Sequence, residues 1–364
     1  MQLVGPDGKQ RNYQEGTPLV DIAPDYQAAY DTPIALGVLN GREVPLQMIP
    51  QEGDRICFLD MNSVESYNTY ISTFLFVLIA AMNRARPQVM LEVQNTFGNA
   101  LYCDIKNKIV LSDYDLADVA AEMKAMIQEK TPITLSFKKK QEAWSYVKPR
   151  FYCDQAPLLS ALPDDVEIPV YELDGVSAYF VNPLLPHLGY LKEFELIRMG
   201  SGILLRYGKR GHYDRLKPFA RRDKLAAVYA DSEKMGQRLH CPTVAALNQF
   251  IKRGNSREII LACEAQHEKK IAQIADAIAS EERGVRLVLI AGPSSSGKTT
   301  FSQRLAVQLR VNGMRPIPIS MDNYFKERKD TPRLPDGSYD FESLGALIRI
   351  FSTSSFTSFF KEKL

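Results

Sequence analysis

The chain has 364 residues, enough for two or three domains of ~100–200 residues each. Apolar residues make up 45% and charged residues 24%, the balance of an ordinary globular protein. Lys and Arg number 45 and Asp and Glu 43, a net charge of +2 that excludes binding to polyanions by bulk charge; any nucleic-acid contact has to be local. The five cysteines (Cys57, Cys103, Cys153, Cys241, Cys263) are scattered, odd in number and without a CxxC pair, which argues against a disulfide framework and a thiolate zinc site. The N-terminus lacks the apolar run of a signal peptide, and the run from Phe74 to Met82 is short of the ~20 residues that span a bilayer. The expectation is a reduced, cytoplasmic protein with no membrane contact.

The first sixty residues predict a small β-rich module. Asp7-Gly8 and Asn40-Gly41 are turn pairs suited to the positive φ of tight hairpins, and Arg55–Leu59 reads as a closing strand. A long helix follows, with Asn62 and Glu65 as a capping box and Pro87 beyond its end. Val89–Gln94 and Ala100–Ile105 read as strands around Gly98-Asn99, and Leu116–Gln128 as a second helix. Four prolines between Lys148 and Pro169 suggest a linker or surface excursion. Strand-like runs at Val176–Val181 and Ile203–Tyr207 precede helices near Asp223–Leu239 and Thr243–Lys252. A last helix starting with Ser256 as its cap places Ile260, Cys263, His267, Ile271, Ile274 and Ile278 at the 3.6-residue period, which favours a packed His267 over a metal ligand.

The pattern DGKQRNYQEGTPLVDIA (Asp7–Ala23) resembles the TGS domain, a ubiquitin-like β-grasp fold found at the N-terminus of threonyl-tRNA synthetases and some GTPases. The stretch from Tyr67 to Ile105, ending in GNALYCDI, is similar to the second additional domain that follows TGS in those synthetases. There the helix start carries an HxxxH zinc or editing motif. Here it reads YNTYIST, and no histidine precedes His187, so the resemblance implies the fold without the hydrolytic chemistry.

One segment carries a motif for chemistry. The apolar run Val285–Ala291 predicts a buried strand, followed by Gly292-Pro293-Ser294-Ser295-Ser296-Gly297-Lys298-Thr299-Thr300 and a helix to Val311. This is G-x-x-x-x-G-K-[ST] in its strand–loop–helix context. The glycines permit a tight loop whose amides converge on an anion, and the helix N-terminus adds positive charge. Lys298 would reach the β- and γ-phosphates of ATP, and Thr299 would place its hydroxyl on Mg²⁺. A second strand, Arg315–Ser320, ends at Asp322, which at a strand end would lie near the γ-phosphate as a base or metal contact, or else cap a helix.

GPSSSGKTTFSQRLAVQLR, ISMDNYF and TPRLPDGSYDFESL resemble the uridine kinase and phosphoribulokinase family. The layout as a whole resembles bacterial uridine-kinase-like nucleoside kinases with TGS and synthetase-like domains in front. The resemblance implies a multidomain α+β and α/β protein: a TGS-like β-grasp domain over 1–60, a second-additional-domain-like region without HxxxH over 61–165, a mixed α/β connecting region over 166–283, and the N-terminal half of a P-loop kinase domain over 284–364. It implies transfer of the γ-phosphoryl group of MgATP to the 5′-hydroxyl of a ribonucleoside. Lys298 and Asp322 would be catalytic, and Tyr324, Phe325, Asp340 and Glu342 would line the acceptor site. Two features depart from the family. Pro318 removes a ladder donor, and after Leu344 the chain reads GALIRIFSTSSFTSFFKEKL and stops, so the kinase domain reads as truncated and its activity is expected to be low. The alternative is an RNA-binding or regulatory protein that uses the N-terminal domains, with the loop as a nucleotide sensor. A GTPase-type switch lacks its base-reading NKxD motif.

Overall fold

The computed structural model describes residues 1–146, 159, 162–219, 223–280, 284–293 and 295–348. Ser294, Cys153, most of the proline-rich stretch and the tail from 349 therefore lie outside the described residues. The chain divides into two compact units, Met1–Gly254 and Asn255–Leu364.

In the first unit, β1 (Gln2–Val4) and β2 (Gln10–Asn12) pair antiparallel around the Asp7-Gly8 turn. Gly8 takes φ 74°, and the Asp7 carboxylate accepts from Lys9 N and from the Arg11 guanidinium, which holds the turn closed. β3 (Ile34–Leu39), β4 (Arg42–Val44) and β5 (Ile56–Asp60) form a sheet of order β4-β3-β5. Asn40 and Gly41 both have positive φ, as the two-residue turn demands. A parallel bridge between Val4 and Arg55 brings β1 beside the start of β5, which gives the order 2-1-5-3-4. The short helix α1 (Leu19–Ile22) and the 3₁₀ segment Ala23–Ala29 supply Leu19, Ile22 and Tyr26 to a core with Leu3, Ile34, Leu46, Ile56 and Phe58. Gly37 permits this approach, since a Cβ there would lie 2.4 Å from Leu19 Cδ1.

Helix α2 (Val64–Ala85) is the axis of the larger core. Its cap is Ser63, whose hydroxyl accepts from Ser66 N at 3.0 Å; the expected cap, Asn62, instead donates its N–H to Asp60. The helix is long and apolar enough to cross a membrane by length and composition, and two thirds of that stretch is buried inside the protein. β6 (Leu91–Thr96), β7 (Ala100–Ile105), β11 (Phe194–Met199) and β12 (Gly202–Tyr207) form an antiparallel sheet of order β11-β12-β7-β6. β8 (Thr134–Lys139), β9 (Glu167–Leu173) and β10 (Val176–Tyr179) form a second, order β10-β9-β8. Phe74, Phe76, Cys103, Val119, Met123, Leu185 and Leu205 are fully or almost fully buried between these layers. α3 (Asp113–Gln128) starts at a reciprocal Ser112–Asp115 capping box, and α4 (Lys140–Tyr146), α5 (Asp223–Arg238) and α6 (Val244–Lys252) complete the unit.

In the second unit, α7 (Ser256–Ala279) and α8 (Lys298–Val311) pack through Ile271, Ala275, Leu305 and Leu309. Glu268 accepts from Arg304 and Gln308, and Asp276 from Asn312, so partners ascend together and the helices run parallel. The predicted packing stripe of α7 is corrected: Ile260, Cys263, His267 and Ile274 are exposed, because α8 packs only on Ile271, Ala275 and Ile278 in the C-terminal half of α7. The predicted strands are corrected as well. Val285–Ala291 and Arg315–Ser320 are not strands, and Leu289 is 79% exposed. A strand needs a ladder partner, and among the described residues this unit has only the isolated pairings Phe325–Leu347 and Arg333–Tyr339. The expected kinase-type α/β sheet is therefore absent from the described residues.

Candidate functional site

Two places carry the sequence-predicted chemistry, one in each unit. In the second, Ser295 and Ser296 lead through Gly297 into the first turn of α8, with Gly292 and Pro293 close by. Gly297 is the N-cap with φ 80°, and Ser295 also takes positive φ. Gly297 at φ 80° needs glycine, and a Cβ on Gly292 would meet Ser296 Oγ at 2.8 Å and make that hydroxyl turn aside. Lys298 folds back over the loop, its Nζ donating to Gly292 O at 2.8 Å and Pro293 O at 2.7 Å. Two of its three donors are thus engaged, and the third is available to an anion at the loop. Thr299 and Thr300 are exposed on the first turn of α8. Loop, lysine and helix N-terminus together fit a phosphate group.

The expected acceptor site is not assembled in the same way. Asp322 is exposed in a 3₁₀ turn, Met321–Tyr324, where its backbone N–H donates to Ser320 Oγ. Without a strand before it, nothing aims this carboxylate along a sheet end. Asp340 accepts from Glu342 N and Ser343 N and closes its own turn, while Glu342 is exposed. Tyr324 and Phe325 flank the pairing to Leu347–Ile348, with Ile348 N donating to Tyr324 O at 2.8 Å.

In the first unit, the start of α2, where the synthetases' HxxxH motif would lie, is filled by packed rings. Tyr70 meets Phe74 edge to face at 4.9 Å between centroids and Tyr213 at 4.6 Å, and Tyr67 stacks on Tyr70. Tyr67 OH donates to Gly208 O and Tyr213 OH to Met61 O, which ties the segment after β12 to the helix. Burial pushes the Tyr213 hydroxyl up to about 12 and raises those of Tyr67, Tyr70 and Tyr207, so all stay neutral near pH 7. These groups have neither the ligands nor the charge for metal-assisted hydrolysis.

Sequence reasoning also missed a group of three carboxylates, because its members come from β6, β7 and α5. Glu92, Asp104 and Glu233 converge closely enough to share an ion, and the Lys106 ammonium already pairs with Glu92 and Glu233. Beside it lies a cavity of about 480 Å³ lined in part by Asp104, Lys106, Leu116, Arg198 and Ser201.

The chain is similar to the threonine–tRNA ligase of Bacillus velezensis, with 24% identity over 278 residues, covering 70% of this chain and 43% of the relative. The relatives are tRNA ligases. The enzyme of Syntrophomonas wolfei is 25% identical over 195 residues (54% of this chain, 31% of the relative), and that of Chlamydia trachomatis 27% over 188 (51% and 29%). The chain thus spans less than half the length of the relatives it matches. No protein-family model matches it.

These matches agree with the synthetase-like part of the sequence reading and overturn the kinase part. Uridine-kinase membership and phosphoryl transfer to a ribonucleoside are corrected. Motif identity at the loop suggested a kinase, but a loop that cradles phosphate does not specify what receives it.

Proposed function

We propose that this chain is an RNA-contacting protein built on a synthetase-like first unit, with Gly292–Thr300 as an accessory nucleotide-binding loop. The observation that carries the reading is the similarity to threonine–tRNA ligases across 70% of the chain. The strand order 2-1-5-3-4 supports a TGS-like β-grasp domain over residues 1–60, and the rings packed at the start of α2 support a binding role for residues 61–165 without editing hydrolysis. At the loop, backbone amides and Lys298 would hold the phosphates of ATP, and the Thr299 hydroxyl would face its Mg²⁺; the ion would supply charge neutralisation.

The test is filter retention of labelled, unfractionated tRNA by the full chain at 0.1 M salt, beside an assay of labelled phosphate transfer to the four ribonucleosides. Saturable retention with no phosphoryl transfer is expected. Transfer to a ribonucleoside without tRNA retention would overturn the reading.

A further inference from the structure

The segment Gly208–Phe219, which follows β12, carries Lys209, Arg210, Arg215 and Lys217 against a single carboxylate, Asp214. Twelve residues thus hold a net charge of +3, where the whole chain carries +2. All four cations are exposed, and Lys209, Arg210 and Lys217 form no ion pair among the described residues.

The loop is also held in shape. Its tip closes on a Lys209–His212 pairing with Gly211 at φ 75°, and Arg215 Nη2 lies 3.0 Å from His212 Nδ1. Its base is fixed by the Tyr67 and Tyr213 hydroxyls and by Glu193 N donating to Tyr213 O. Gly208 lies against the returning side of the turn, where a Cβ would meet Tyr213 Cα at 2.6 Å and His212 O at 2.8 Å. Arg206, paired with Glu195 and donating to Lys217 O, stacks over Phe219 and anchors the other end. A loop whose backbone is fixed before its partner arrives leaves only side-chain entropy to be lost on binding.

We infer that this loop is a docking surface for the phosphate backbone of RNA. The assignment rests on the RNA-contacting function proposed above and names where the contact is made. Unpaired cations on a rigid turn complement a polyanion, and four cations within nine residues match the close spacing of phosphates along an RNA strand. A near-neutral protein can bind RNA only through such a local concentration of charge.

The experiment compares the full-length chain with two triple variants of equal net charge, Lys209→Gln/Arg210→Gln/Lys217→Gln in the loop and Lys124→Gln/Lys139→Gln/Lys252→Gln elsewhere on exposed positions. Melting temperatures are first checked to be unchanged, with Lys209→Gln/Arg210→Gln as a milder loop variant if the triple falls. Binding of unfractionated tRNA is then measured between 0.05 and 0.3 M salt, on the order of the range where counterion release dominates. The loop variant should bind roughly 10-fold or more weakly, with a log–log salt slope shallower by about 2, as expected for three lost phosphate contacts; the control should stay close to the wild type. Equal losses in both variants, or in neither, would overturn the loop assignment while leaving RNA binding in place. No binding by the wild type would overturn the function and the loop together. Tighter loop-dependent binding of poly-glutamate than of tRNA would show that the surface serves an acidic protein and overturn the assignment to RNA.

Discussion

At Lys298 the ammonium bonds Gly292 O and Pro293 O and keeps the loop curled, so one side chain both shapes the site and supplies its charge. Lys298→Ala should abolish the rise in melting temperature produced by MgATP, a stabilisation of about 2.7 kcal/mol at a hundredfold excess over Kd for a ligand that binds only the native state. Equal shifts in wild type and variant would remove the loop from the account. Gly297→Ala should cost roughly 1–2 kcal/mol of stability in a urea titration, because φ 80° disfavours any Cβ. A third residue-scale test concerns Asp115. The Ser112 hydroxyl and backbone N–H, then the Arg86 guanidinium, hold its carboxyl down to about 2. Its contribution is full above the unfolded value near ~4 and is lost as the pH falls toward 2. The difference in melting temperature between wild type and Asp115→Asn should therefore be present at pH 6 and vanish near pH 2. A difference independent of pH would show that the carboxylate's charge is irrelevant there.

Among the elements, α2 is the one on which the first unit depends. Phe74 is fully buried against Tyr70, Phe194 and Tyr207. Phe74→Ala should destabilise the protein by about 3–5 kcal/mol, read from urea unfolding, through lost burial and the cavity left behind; a loss below about 1 kcal/mol would mean the helix is not the core axis. Elements of this unit were legible in the sequence because their signals are local. Asp7-Gly8 and Asn40-Gly41 state a positive φ, and the Leu116–Gln128 periodicity places α3 to within a few residues of its observed start. Where a choice lay between neighbours, as with Asn62 and Ser63, the backbone geometry decided and the pattern did not. Val285–Ala291 reads as a strand by composition, yet a strand is a relation between segments, and no described segment pairs with it. The exposure of His267 has the same origin, since the extent of the α7–α8 contact cannot be read from α7 alone.

For the molecule as a whole, the sequence pointed to two family resemblances in one chain, and the similarity to threonine–tRNA ligases agrees with the synthetase-like one. The aromatic packing at the start of α2 and the basic loop beside it were not visible as a site, because Tyr67, Tyr213 and Lys209 come together only in the fold. The central claim is that RNA is engaged by the first unit, and hydrogen-exchange mass spectrometry of the full chain, with and without unfractionated tRNA, tests it most directly. Slowed exchange within residues 1–254, including the segment 208–219, with residues 284–348 unchanged, is the predicted result. Protection confined to residues 284–348, or no protection anywhere at saturating tRNA, would contradict it.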